Sequence, residues 1–185
     1  MGSRRIIAFI GLFFTVQIAI SGTAWAEAFD ECVRDGANKA LEAKTAFQSD
    51  LRDLIAKKRP EFESLATVSM ELQVLLAEAR RAKFDYLLRH DANRIDTTKG
   101  LVRFSNFEWS EADSAKLIAE NSSFAELEGR ISALRERNDN DTDWPELRAY
   151  FRSELGLSSD FKAIMARFQA RQDEVEAVIA QCRLD

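Results

Sequence analysis

Leu54-Ile55-Ala56-Lys57-Lys58-Arg59-Pro60-Glu61-Phe62 joins two long runs of helical periodicity and can be read in two ways. Before it, Val33, Ala37, Ala40, Lys44, Phe47, Leu51 and Leu54 recur at three-four spacing. After it, Phe62, Leu65, Ser69, Leu72, Leu76, Ala79, Tyr86 and His90 do the same, once polar Lys83 is counted as a heptad position. Both stripes predict amphipathic, coiled-coil-like helices, over 28–58 and 61–91. Pro60 either kinks one helix of about 60 residues, roughly 90 Å long, or sits in a reversal. The cysteines choose between them. Cys32 and Cys182 would end far apart on a kinked rod, whereas four antiparallel helices bring the first and last turns to one end, within disulfide reach. The expectation is therefore an all-α, elongated antiparallel bundle about 45 Å long, with an elongated or domain-swapped homodimer as the alternative. Lys58 and Arg59 supply neither a glycine C-cap nor a short polar N-cap for such a turn.

Two more helical regions follow. Ser110 and Asp113 have capping-box spacing ahead of a stripe of Leu117, Phe124, Leu127, Ile131 and Leu134, which predicts one helix to about Arg137. Asp143 and Glu146 repeat that spacing around Pro145 and open a fourth region. It carries Leu147, Tyr150, Phe151 and Leu155, breaks at Gly156, and resumes through Phe161, Ile164, Phe168, Val175, Val178 and Cys182.

The N-terminus reads as an export signal. Arg4 and Arg5 precede an apolar run from Ile6 to Ile20, and Ala24-Trp25-Ala26 has the small-x-small form of a cleavage site. A cleaved signal peptide over 1–26 leaves a single 159-residue domain over 27–185 that starts at Glu27. The run is shorter than the roughly 20 apolar residues of a spanning helix. Loss of this segment, which carries Arg4, Arg5 and no acid, would take the net charge from −5 to −7. That acidity argues against nucleic acid or anionic membrane as a partner. Export to the periplasm or beyond the cell makes a Cys32–Cys182 disulfide the expected state of the two cysteines, with intermolecular pairing as its rival.

Four constellations could carry function. The connector over 92–109 holds Gly100-Leu101-Val102-Arg103-Phe104-Ser105-Asn106-Phe107-Glu108-Trp109, an alternating, extended-looking stretch. It either caps the bundle with its aromatics or presents Arg103, Phe104, Phe107 and Trp109 as anchors for a protein partner. Arg80, Arg81, Lys83, Arg89 and Arg94, with Lys99 and Arg103 beyond them, form a basic zone in an acidic chain. It is either a solvated helix face or, if it converges on a cleft with an acid such as Glu78 or Asp85, a site for a small dicarboxylate or phosphate. An arginine-lined pocket of that kind resembles, in architecture only, secreted all-helical chorismate mutases. Asn138 to Asp143 starts like a calcium loop, but Trp144 stands at the required turn glycine and Tyr150 at the bidentate glutamate, so a capping loop is expected instead. His90, the one histidine, falls on the buried phase near the end of the second helix.

No metal site, covalent haem motif, phosphate loop or nucleophile elbow is spelled out, and no cofactor is expected. The expected function is non-enzymatic: an exported bundle that binds proteins as an adaptor, inhibitor or chaperone-like factor. The alternative is a small helical ligand binder or enzyme using the arginines.

Overall fold

The computed structural model describes residues 21–95 and 107–182, with side chains from Phe29 onward. Among the described residues the fold is all-α, with six helices and no strand. Helix α1 (Ser21–Lys58) is followed by a 3-10 turn (Pro60–Phe62) and α2 (Glu63–His90). A second 3-10 turn (Ala92–Arg94) leads into the connector, and α3 (Glu111–Glu120) and α4 (Ser122–Asp139) follow it. The chain ends with α5 (Trp144–Ser153), a third 3-10 turn (Leu155–Leu157) and α6 (Ser159–Gln181). The apolar run 6–20 lies outside the described residues, and the expected cleavage point after Ala26 falls within α1. No helix among the described residues is long and apolar enough to cross a membrane.

Pro60 makes a reversal. The Arg59 amide donates to the Ile55 carbonyl at 2.8 Å and the Phe62 amide to the Arg59 carbonyl at 3.0 Å, so the last turn of α1 runs straight into the 3-10 turn. Proline at its first position has no amide to leave unsatisfied. The turn lacks a side-chain cap, and the guanidinium of Arg59 takes over the holding role. It lies over the rings of Phe62 and Tyr150, at 4.8 and 4.9 Å, and pairs with Glu61 and Glu146. Lys58 pairs with Asp160 at 2.9 Å, which ties the start of α6 to the same end. Each ion pair is exposed and weak alone. Phe62, only 2% exposed, is the apolar anchor, packed with Leu54, Leu65, Leu147, Leu155 and Ile164.

At the opposite end Cys32 and Cys182 are disulfide-bonded, with Cα atoms 5.7 Å apart. Around them Val33, Phe84, Leu87, Ile95, Val175 and Ile179 form a second core. Both cysteines therefore pair within one chain, and the long helices α1, α2, α4 and α6 alternate in direction between the two ends.

Three expectations need correction. The helix after Ser110 is broken: Asn121 ends α3 and caps α4, accepting the Phe124 amide at 3.0 Å, because an asparagine side chain can outcompete backbone continuation. The capping box at Asp143 does not form, since its side chain makes no cap bond. Its amide donates instead to Asp141 Oδ1, and the Trp144 indole donates to the Asn138 carbonyl at 2.6 Å. His90 is exposed, stacked on Tyr86 at 4.4 Å, rather than buried. The break near Gly156 is present, and its geometry demands glycine: a Cβ there would sit 2.8 Å from the Phe151 carbonyl.

Candidate binding groove

The long helices do not close around one core. α1 and α2 pack on each other as a hairpin, α6 packs on α1, α4 packs on α2, and α4 and α6 have no packed interface of their own. A closed four-helix bundle would join that last pair. Between them runs a half-open groove of about 780 Å³.

Its floor is helical in spacing. α1 contributes Ala37, Ala40, Leu41 and Lys44, and α2 contributes Gln73, Leu76, Ala77 and Arg80, each set at i, i+3, i+4, i+7. Glu128, Ile131 and Arg135 of α4 form one wall, and Phe168, Gln172 and Val175 of α6 the other. Ala40, Lys44 and Leu76 belong to the stripes that the sequence assigns to the core. They are only half-buried, because nothing covers them from the groove side. The many alanines keep the floor low.

Phe107 and Trp109 stand at one edge, where the connector re-enters the fold. The capping box at Ser110 fixes them: the Asp113 amide donates to Ser110 Oγ at 3.1 Å and the Ser110 amide to Asp113 Oδ2 at 3.0 Å. Arg94 reinforces the arrangement by donating to Asp113 Oδ2 at 2.9 Å and to the Glu108 carbonyl. The Arg94 guanidinium and the Ser110 donors hold the Asp113 carboxyl far below the usual carboxylate range. The Trp109 indole donates to Ser114 Oγ at 2.7 Å, and its ring meets Tyr86 and Phe107 edge to face. Both aromatics are partly buried, packed against the cores, and line the groove. Arg103 and Phe104, with Lys99, lie outside the described residues.

The basic zone divides. Arg80, Arg81 and Lys83 line the groove, while Arg89 is exposed and donates to the Asp85 carbonyl, and Arg94 serves the connector. Arg81 donates to Asn38 Oδ1 at 2.9 Å and pairs with Asp85, which also faces Arg34 at 3.4 Å. Lys83 pairs with Glu128 at 3.1 Å and stands over the rings of Trp109 and Phe124. Of the two acids considered for this zone, Asp85 joins it and Glu78 does not line the groove.

Sequence reasoning missed Lys44 and Arg135 as site residues. Lys44 carried a signal: it and Lys83 are the two lysines in the long stripes, and both line the groove. Arg135 carried none, since its place depends on where α4 docks. Among the described residues no cluster of three or more His, Cys, Asp or Glu side chains could hold a metal. Compared with known proteins, the chain matches no family model, no curated protein and no solved structure.

Proposed function

We propose that this chain is a non-enzymatic protein of the periplasm or extracellular space that binds a partner protein, as an adaptor or inhibitor, by accepting one of its helices in the groove. The observation that carries this reading is the uncovered middle of the α1 and α2 stripes. Apolar positions built for a helix neighbour lack one there, along about 16 Å from Gln73 to Phe84. Helix-in-groove recognition needs such a trough, with room for anchors at i, i+3, i+4 and i+7.

The groove's one acid, Glu128, is already committed to Lys83, which supports binding over acid-base chemistry. A small amphipathic ligand is the second reading. It is favoured by a volume within the range of ligand pockets, about 300–1,000 Å³, and by the convergence of Arg80, Arg81 and Lys83. An open side along the helices and a floor of alanines favour the helix.

The test is site-specific photo-crosslinking in an exporting host. A benzophenone amino acid placed at Ala77, in the floor, is expected to join one partner protein through one amphipathic segment identified by mass spectrometry. The same group at exposed Glu174 should not, and Leu76→Arg should abolish the Ala77 product. Crosslinks scattered over many proteins, or unaffected by Leu76→Arg, would reject the reading.

A further inference from the structure

The charged lining of the groove runs against the character of the whole chain. Five cations, Lys44, Arg80, Arg81, Lys83 and Arg135, face it with one acid, Glu128, in a protein of net charge −5. Two of the five are neutralised locally, Arg81 by Asp85 and Lys83 by Glu128. Lys44, Arg80 and Arg135 have no acid partner among the described residues, and they come from three different helices. At the Pro60 end and between α1 and α6, by contrast, Lys58, Arg59 and Arg167 are paired across helices with Asp160, Glu146 and Asp50.

Lys44 makes the imbalance costly. Its ammonium is half-buried over an apolar floor, 5.9 Å from the centre of the Phe47 ring, and burial pushes its pKa below the ordinary lysine value. A carboxylate brought in by a guest would relieve that cost, and the surplus positive potential would select and steer such a guest.

Resting on the groove as the binding site, we infer that its occupant is an acidic amphipathic helix of a partner protein. Its apolar face lies on the floor between Leu41 and Leu76, and its flanking carboxylates meet Lys44, Arg80 and Arg135. A basic segment is excluded by the same charges. A second copy of this chain, acidic overall, would have to present such a helix from its own surface.

Two labelled peptides of about four helical turns test this, sharing one leucine pattern. One carries glutamates beside the apolar face and the other carries lysines at the same positions. Fluorescence anisotropy against the full oxidised chain should show binding of the glutamate peptide, weakening with added salt, and none of its lysine isomer. The double variant Arg80→Glu, Arg135→Glu should weaken the glutamate peptide at least tenfold and gain affinity for the lysine isomer, a reversal that misfolding cannot mimic. Equal binding of both peptides, abolished by Leu76→Arg, would overturn the acidic occupant and leave the groove reading intact. Binding of neither peptide, or binding that survives Leu76→Arg, would overturn both. Self-association of the free chain in sedimentation velocity, lost in Leu76→Arg, would put a second copy in the groove and overturn the acidic partner.

Discussion

The Pro60 end and the middle of the molecule are built from the same helices and finish in opposite conditions. At the Pro60 end the stripes of α1 and α2 are covered from both sides, by Leu147 and Tyr150 of α5 and by Ile164 of α6. Two of the cations there, Lys58 and Arg59, have acids from α6 and α5. About three turns away the stripes continue, yet Ala40, Lys44 and Leu76 are only partly buried and the cations outnumber the acids. The short α5, present only at one end, accounts for much of the contrast. Apolar patterning tells which face a helix will bury, but a groove appears where the chain supplies no element to bury it.

Disruption of the clamps that hold the helices around this contrast should have the largest effect. Cys32→Ser with Cys182→Ser opens a loop of 150 residues, which in the chain-entropy model costs about 5 kcal/mol. Denaturant unfolding of the oxidised chain against the double variant measures it. A loss under about 1 kcal/mol would mean that the cores hold both ends without the covalent link.

The comparison sharpens in a matched pair of truncations. Phe62→Ala, in the covered end, should cost about 3–5 kcal/mol by the usual scale for buried aromatics. Leu76→Ala, over the groove, should cost less, about 1–2 kcal/mol, since the side chain is only partly buried. Equal costs in thermal and denaturant unfolding would show the groove to be as filled as the end.

The sequence disclosed the covered parts better than the open ones. The stripe through Val33, Ala37 and Leu54, the reversal at Pro60, the break at Gly156 and the cysteine pairing follow from spacing, sterics and reach, which are local or fixed by two points. The end of α3 at Asn121 was hidden because Leu117, Phe124 and Ile131 keep helical phase across the break. The groove was hidden because it is a relation between α4 and α6, whose docking depends on the whole fold. Its trace in the sequence was a lysine in each stripe, Lys44 and Lys83.

A smaller effect concerns the edge where the connector joins the groove. The Asp113 carboxyl is depressed by Arg94 and the Ser110 donors, so its contribution to stability is complete above the ordinary aspartate value, near pH 4, and fades as pH falls from there toward the depressed pKa. Asp113→Asn should therefore melt below wild type at neutral pH, with the gap narrowing in acid. A gap unchanged between about pH 7 and pH 2 would assign the effect to shape rather than charge.

The smallest effects on stability fall on the groove cations, and there the contrast between the two regions is most exposed to refutation. Burial disfavours the charged form of Lys44, so folding with the lysine charged carries a cost that an uncharged side chain avoids. Lys44→Met should raise the melting temperature slightly. Arg80→Glu with Arg135→Glu should leave the unfolding free energy within about 0.5 kcal/mol of wild type, as for surface positions without partners. Arg59→Glu, the same reversal at the covered end, sets two like charges beside Glu61 and Glu146 and should destabilise visibly. If the groove reversals instead destabilise as much as Arg59→Glu, then Arg80 and Arg135 support the fold. The surplus of positive charge would then be structural, with no guest needed to explain it.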